Sequence, residues 1–253
     1  IKGLKPDLVH IHGLTYQTKP FVEVCTEMQC KYMVTLHGLN GISESVILPN
    51  VEKKYEMEAL KELNKNRIPV TVISTGIKKK IEKIYSIDTS NIRIVLNGTR
   101  CQPSELRYIT GRAKEKYEIV CVGSISYRKN QTKLVDCLSC MDEPYKKKLH
   151  VTFCGVDSDN ISLDKYIEKY NLQNIAEYRG FVPREQMSSI WEKADLNIVM
   201  SKEEGFGLSM IEGFMHGIPT ITFSDLDAVE DVYNEDAVEL FNSRTCKDIN
   251  QGI

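Results

Sequence analysis

Short, continuous apolar runs rich in β-branched residues alternate with segments of helical periodicity along nearly the whole chain. Runs without polar alternation are typical of strands that are buried on both faces. Strands that alternate with helices predict parallel sheets joined by right-handed crossovers, so we expect an α/β fold. The predicted strands are Asp7–His12, Tyr32–Leu36, Val70–Ser74, Ile92–Leu96, Glu118–Val122, Leu149–Cys154, Asp195–Met200, Ile218–Phe223 and Ala237–Phe241.

Several segments between these strands carry apolar residues at helical spacing, which predicts helices that bury one face. Trp191 lies on such a stripe and is expected in the core. Cys137 and Cys140 form the only CxxC of the chain. No second cysteine pair or histidine cluster accompanies them, so packing is favoured over a metal or redox role. The predicted helices are Asn130–Met141, Ser162–Leu172, Pro183–Ala194 and Leu208–His216.

The polar segment Asn97–Lys116, which contains Pro103 and Gly111, separates two groups of strands. A chain of 253 residues accommodates two α/β domains. We predict one domain at 1–100 and a second at 101–253. Because the chain starts directly with a strand pattern, we expect that it is a fragment and that the first domain is incomplete.

Charge and hydropathy exclude several classes of protein. The net charge of −2 comes from 33 basic and 35 acidic residues spread along the chain, whereas nucleic-acid-binding proteins concentrate basic residues on one face. No run approaches the roughly 20 apolar residues that cross a bilayer. Most of the eight cysteines lie in apolar segments, which favours a reducing, cytoplasmic setting.

The stretch from Ser201 to Pro219 places two glycines and two glutamates at a predicted strand–loop–helix junction. Gly205 and Gly207 let a backbone approach a ligand closely, and the N-terminus of the following helix suits a pyrophosphate. Glu212 could accept hydrogen bonds from two ribose hydroxyls, and Glu204 could face a sugar. In the structural alternative, Glu204 only favours the helix N-terminus and Glu212 is a surface residue.

Several motifs together resemble retaining GT-B glycosyltransferases of family 4. The central one is Glu204-Gly-Phe-Gly-Leu-Ser-Met-Ile-Glu212, which is followed by Gly217-Ile-Pro219. The resemblance covers most of the chain. It extends over Asp7–His12, Thr35–Gly38, Val72–Ser74, Ile94–Gly98, Val122–Asn130 and Tyr178–Pro183.

This resemblance implies a GT-B fold with two Rossmann-like domains facing a cleft. It also implies that Lys129 pairs with the diphosphate of a nucleotide sugar and stabilises the leaving group. Glu212 would hold the ribose and Glu204 the transferred sugar, while His37 would reach the reacting sugar from the first domain.

Backbone groups would complete the donor site that the resemblance implies. Gly123 and Ser124 belong to its phosphate loop, and Gly180 and Phe181 would line the base pocket. The glycine-rich loop would place N–H groups near the sugar and phosphates, with Gly205 leading into Phe206, Gly207 and Leu208.

The chain departs from the family at one diphosphate contact. The family usually has an arginine directly after the glycine of its first donor-domain strand, where this chain has Ser124. One charge-assisted contact is absent unless Arg128 replaces it. The first acceptor-domain strand and the closing C-terminal helices of the family are also expected outside this sequence.

Two other patterns resemble ligand sites. Asp157-Ser158-Asp159 matches a metal-binding DxD pattern, but its place between a strand and a helix favours a turn, so no bound metal is predicted. His10 and His12 alternate along one strand. Core or cleft-wall packing is favoured for them over acceptor contact.

The resulting prediction is a retaining, metal-independent glycosyltransferase without a cofactor. Its donor would be a nucleotide-diphosphate sugar, UDP- or GDP-linked, and its acceptor a glycan or a lipid-linked glycan, with no nucleic acid as partner. Peripheral association with the inner face of the membrane stays open. The alternatives are a catalytically degenerate GT-B subunit that binds a partner transferase or glycan, and another GT-B enzyme such as an epimerase or a phosphorylase.

Overall fold

The computed structural model describes residues 3, 5–43, 49–99 and 114–253. The chain divides into two compact units, Ile1–Asn97 and Gly98–Ile253. Most of the predicted connecting segment, including Pro103 and Gly111, lies outside the described residues.

The first unit contains a parallel sheet of four strands in the order β1-β2-β3-β4. Val34 pairs with Val70, and Val70 with Ile92, so apolar residues follow each other across the sheet. The elements are β1 (Val9–His12), α1 (Lys19–Glu27), β2 (Tyr32–Leu36), a 3₁₀ turn (Asn40–Ile42), α2 (Pro49–Lys65), β3 (Val70–Val72), α3 (Thr75–Tyr85) and β4 (Ile92–Ile94).

The second unit contains a parallel sheet of six strands in the order β10-β9-β8-β5-β6-β7. Its strands are β5 (Tyr117–Val122), β6 (Leu149–Cys154), β7 (Ala176–Tyr178), β8 (Leu196–Ile198), β9 (Thr220–Phe223) and β10 (Val238–Phe241). Its helices are α4 (Gln131–Ser139), α5 (Glu143–Lys146), α6 (Leu163–Lys169), α7 (Arg184–Trp191), α8 (Leu208–Met215), α9 (Val229–Val232) and α10 (Cys246–Gly252).

The core of the second unit lies between the sheet and its helices. Trp191 is 1% exposed, as predicted, and packs in a cluster with Val120, Cys154 and Ile218. The alternation of strands with helices therefore produces the parallel α/β architecture that the apolar runs predict. None of the helices in the described ranges is long and apolar enough to span a bilayer.

Some local predictions are wrong. No apolar run predicted β7, because it has three residues and only Ala176 is buried among them. Cys140 is exposed at the end of α4, where the helix has already stopped, so it does not pack in the core as Cys137 does. His10 and His12 are exposed on β1, which excludes core packing for both.

Candidate functional site

The strand order of the second unit defines where a ligand can bind. From β5 the chain moves outward to β6 and β7, and it then returns to place β8 on the other side of β5. In open parallel sheets, ligands bind beyond the carboxyl ends of the strands at such a reversal point. The loops that follow β5 and β8, 123–130 and 199–207, meet at this reversal point.

The loop after β5 is shaped by glycine and by one buried amide. Gly123 has a φ of 149°, and a Cβ added there would lie 3.6 Å from Lys129 Cδ, so the lysine stem lies over the glycine. Gln131 is 1% exposed. Its Nε2 donates to the carbonyl of Ser124 at 3.0 Å, and its Oε1 accepts from the N–H of Ser126 at 3.3 Å. These contacts fix the loop from which Lys129 projects.

Lys129 and Glu204 form an ion pair between the two loops. Their side chains are only 15% and 11% exposed, so water screens the pair weakly. Glu204 Oε2 also accepts from Ser201 Oγ at 3.1 Å. The structure thus joins two residues that lie 75 positions apart in the sequence and that were both predicted at the donor site.

The loop after β8 ends at the N-terminus of α8. Gly207 precedes the helix with a φ of 77°, and a Cβ at this position would collide with the side chain of Met210. The Met210 methyl at the end of a flexible side chain could move aside, so it is the positive φ that favours glycine there. The N–H groups of Leu208 and Ser209 open the first turn and can face an anion, whereas the N–H of Met210 donates to the carbonyl of Gly207 at 2.9 Å. Phe206 is buried and anchors the loop, whereas Leu208 is 41% exposed.

A buried asparagine holds α8 against the sheet. Asn197 lies on β8 and is fully buried. Its Nδ2 donates to the carbonyl of Ser209 at 3.2 Å and to Thr220 Oγ1 at 3.1 Å. A Cβ on Gly213 would lie 3.4 Å from the same nitrogen, so the glycine allows the helix to approach the strand closely.

Glu212 lies one turn inside α8 and is half-buried. Burial raises the pKa of its carboxyl, and the positive charge of Arg184 opposes this rise. Burial removes water that would solvate the charged carboxylate, so hydrogen bonds from neutral hydroxyl groups would stabilise its charged form. Glu212 is thus partly buried, and its role at the ribose stays a prediction.

The loops after β6 and β7 are packed against the loop after β5. A Cβ on Gly155 would collide with the carbonyl oxygen of Gly123, and the N–H of Gly155 donates to the carbonyl of Gly180 at 2.8 Å. Gly180 has a φ of 66°, and the side chain of Phe181 beside it is 70% exposed. The exposed ring is available for stacking beside the phosphate loop.

The DxD-like segment forms a turn, as predicted. Asp157 accepts from the N–H groups of Ile161 and Ser162 at 2.9 and 2.8 Å, and Asp159 accepts from the N–H of Tyr127 at 2.8 Å. Over the described ranges, no group of three or more His, Cys, Asp or Glu side chains is arranged to hold a metal ion.

Arg128 joins the two loops. It lies in the loop after β5, the same loop in which Ser124 stands at the position of the family arginine. Its guanidinium donates to the carbonyl of Glu203 at 3.0 Å, and its own carbonyl accepts from the N–H of Lys202 at 2.9 Å. Arg128 is thus fixed to the loop that carries Glu204. Its replacement of the arginine missing at Ser124 stays a prediction.

Three histidines and a pair of threonines form a cluster in the first unit. His12 and His37 share a 2.8 Å hydrogen bond between their rings, and His10 bonds to Thr35, which bonds to Thr71. Burial, together with His12 and His10, lowers the pKa of His37, which favours a neutral ring. The predicted role of His37 at the reacting sugar stays a prediction, because His37 lies in the other compact unit.

Comparison with known proteins identifies the family. Residues 104–253 match the family described as glycosyl transferases group 1, which is more than half of the chain. The chain belongs to this family. Its sequence is 23% identical over 188 residues to the O-antigen chain mannosyltransferase RfbU of Salmonella typhimurium, and the match covers 74% of this chain and 51% of RfbU. The chain thus spans about half the length of that relative.

Solved structures confirm the predicted GT-B α/β fold. A glycosyltransferase from Rickettsia africae superposes with a TM-score of 0.76 at 19% identity, covering 100% of this chain and 66% of that protein. HepE from Anabaena, solved in complex with UDP and glucose, superposes with a TM-score of 0.70 at 18% identity, covering 97% of this chain and 66% of HepE. At these identities the likeness shows the fold, and the group 1 assignment rests on the family match.

Sequence patterns missed the residues that support the site. These residues act through hydrogen bonds and close backbone approaches that depend on the fold, so no spacing in the sequence marks them. Only Gly155, directly after the strand Leu149–Cys154, carried a recognisable signal. A glycine at the end of a strand often marks a place where another segment of backbone approaches closely. The missed residues are Gln131, Gly155, Asn197, Ser201 and Arg244.

Proposed function

We propose that this group 1 chain transfers a sugar, with retention at the anomeric carbon, from a nucleotide-diphosphate sugar to a hydroxyl of a glycan or lipid-linked acceptor. The observation that carries the proposal is the pairing of Lys129 with Glu204 at the reversal point of the sheet. A cation for a diphosphate and a carboxylate for sugar hydroxyls meet there beside a helix N-terminus.

The donor lies across the carboxyl ends of β5 and β8 in this proposal. Lys129 and the first turn of α8 bind the diphosphate, and Glu212 accepts hydrogen bonds from the ribose hydroxyls. The base lies beside Gly180 on the exposed ring of Phe181. A UDP- or GDP-linked sugar is the proposed donor, and HepE, which has the same fold, was solved with UDP and glucose.

Transfer proceeds by attack on the face from which the diphosphate leaves. The bond between the anomeric carbon and the diphosphate oxygen breaks, and a bond from the acceptor oxygen to the same carbon forms. The proton of the acceptor hydroxyl passes to the departing diphosphate. The protein contributes orientation and charge stabilisation of the leaving group, through Lys129 and the α8 N–H groups. No metal ion or cofactor takes part in the proposed step.

The proposed acceptor follows from the class of the relatives. RfbU is an O-antigen chain mannosyltransferase, and this name supports a glycan acceptor for its relatives. We extend to this chain a glycan or lipid-linked acceptor and a cytoplasmic setting at the inner face of the membrane. The neutral His37 contacts the reacting sugar in this proposal.

Lys129→Ala tests the proposal. Loss of the cation should lower kcat for sugar transfer on the order of 100-fold, because charge that develops on the diphosphate is no longer stabilised. The measurement is release of nucleoside diphosphate, with product analysis, by the intact protein supplied with UDP-glucose, UDP-N-acetylglucosamine or GDP-mannose. Lys193→Ala, which removes an exposed lysine after α7, is the matched control.

Each outcome separates the proposal from its alternatives. Full transfer by Lys129→Ala would contradict the assigned role. Nucleotide binding without turnover by the wild type would favour the degenerate binding subunit, and an epimerised donor or a sugar phosphate would indicate another GT-B enzyme.

A further inference from the structure

Arg244 follows β10 and connects the carboxyl ends of three strands. Its guanidinium forms a two-pronged ion pair with Asp225 after β9, with Nη1 and Nη2 at 2.7 and 2.9 Å from the carboxylate oxygens. Nη2 also donates to the carbonyl of Ser201 after β8, at 2.6 Å. The guanidinium carbon lies 4.1 Å from the centre of the Phe223 ring. The side chain is 21% exposed, so these contacts hold it in one place.

The contact with Ser201 connects Arg244 to the proposed donor site. Ser201 is 1% exposed, and its Oγ donates to Glu204 Oε2 at 3.1 Å. The carbonyl and the hydroxyl of one buried residue therefore join Arg244 to the carboxylate that pairs with Lys129. A planar guanidinium can bond to a carboxylate and to a carbonyl at the same time, which an ammonium group cannot do with the same geometry.

We propose that Arg244 is a positioning residue for the loop 201–207, acting through the Ser201 carbonyl to hold Glu204 where the transferred sugar binds. The inference rests on the proposed function and adds to it a residue outside the sequence motif. Arg244 does not touch the donor in this account. It sets the position of Glu204, so its loss affects turnover more than binding of the nucleotide.

Arg244→Met tests the inference, because methionine keeps an apolar contact with Phe223 and loses all the hydrogen bonds. A small displacement of a group that orients the substrate can lower the rate on the order of 10- to 100-fold, and we expect a fall in kcat of this size. The dissociation constants of UDP and GDP should change less than about twofold, since Lys129 and Glu212 stay in place. Lys247→Met removes an exposed positive charge nearby and serves as the control.

A double-mutant cycle with Glu204→Gln separates positioning from general loss of structure. If Arg244 acts through Glu204, adding Arg244→Met to Glu204→Gln should lower kcat less than about threefold further. Hydrogen exchange of the 201–207 amides should rise in Arg244→Met at unchanged exchange elsewhere in the unit. Arg244→Lys, which keeps the charge, should give an intermediate kcat, and it replaces the methionine variant if that variant does not fold.

The outcomes distinguish this inference from the proposed function. If the wild type turns over one of the three nucleotide sugars and Arg244→Met has the same kcat, the inference is wrong and the function stands. Fully multiplicative effects of the two substitutions would also overturn it. If the wild type neither binds a nucleotide nor releases one, the proposed function fails and the inference fails with it.

Discussion

Lys129 and Glu204 neutralise each other at the reversal point of the second sheet. A diphosphate that binds to Lys129 competes with the Glu204 carboxylate for the same ammonium group. When the diphosphate replaces Glu204 as the ion-pair partner of Lys129, the carboxylate can accept hydrogen bonds from the sugar. At the residue scale, the proposed donor site would therefore couple diphosphate binding to sugar binding through this pair.

Glu204→Gln should have opposite effects on the two parts of the donor. Binding of UDP or GDP alone should strengthen about tenfold, which corresponds to ~1.4 kcal/mol, because Lys129 no longer has a competing anion. Sugar transfer should weaken, because an amide accepts fewer hydrogen bonds from hydroxyls than a carboxylate does. Isothermal titration with the nucleoside diphosphate, beside kcat for the nucleotide sugar, measures both.

A control variant separates the effect of Glu204 from a change in net charge. Glu203→Gln removes the carboxylate that precedes Glu204 in the sequence, so it controls for net charge. Weaker binding of the nucleoside diphosphate by Glu204→Gln would contradict the competition between the carboxylate and the diphosphate.

The sequence predicted the residues of the ion pair but not those around it. Glu204, Gly207 and Glu212 stand at fixed spacing within one short stretch, so a family resemblance can assign them. Arg244 reaches the Ser201 carbonyl from 43 positions away, and only the folded sheet brings those atoms together. Ser201 bonds to Glu204 three residues along the loop, a contact that no residue pattern marks.

At the scale of elements, α2 of the first unit holds the turn that follows β2. Glu56 lies on α2 and is fully buried. It accepts hydrogen bonds from the N–H groups of Asn40 and Gly41 at 3.1 and 3.0 Å, and from the hydroxyl of Tyr85 on α3. This turn begins three residues after His37, so the carboxylate fixes the segment that leads away from the predicted acceptor-side histidine.

Glu56→Gln should lower the free energy of unfolding of the first unit by about 1–3 kcal/mol, because the amide leaves a buried N–H donor without an acceptor. Burial raises the pKa of Glu56 above its ordinary 4.5. The folded state therefore binds this proton more tightly than the unfolded state, and the contribution of Glu56 to stability falls as the pH rises through the folded pKa. The difference between wild type and variant should widen as the pH falls toward 4.5.

Hydrogen exchange of peptides from Tyr32–Leu36 and Pro49–Lys65, corrected for intrinsic rates between pH 4.5 and 7, measures this difference. Glu58→Gln, which changes an exposed glutamate of the same helix, is the control. A difference that stays constant with pH, or that narrows toward pH 4.5, would contradict the assigned role of Glu56.

Apolar runs predicted the central strands and most edge strands, and they missed the short edge strand β7. β5 and β6 have six residues each, and each contains an unbroken run of buried side chains. Their strand pattern in the sequence is therefore clear. β7 has three residues and is held by its backbone pairing to β6, which leaves no periodic signal in the side chains. The order of the strands, and with it the reversal point, depends on crossovers that apolar patterns do not encode.

On the scale of the whole molecule, each unit is a parallel α/β sheet, and the proposed donor chemistry lies in the second. The second unit contains the loops 123–130 and 199–207 and the N-terminus of α8, all at the carboxyl edge of one sheet. Binding of the nucleotide therefore tests the account independently of the acceptor, because it depends on contacts within this unit.

The most direct test is a thermal-shift comparison of UDP, GDP, ADP and their sugar conjugates on the intact protein, with Glu212→Ala alongside. A ligand at about 100 times its dissociation constant stabilises the folded state by roughly 2.7 kcal/mol, which raises the melting temperature measurably. We predict that one nucleotide, UDP or GDP, raises it and that Glu212→Ala abolishes the rise. No shift with any nucleotide, or an equal shift in Glu212→Ala, would contradict the donor site described above.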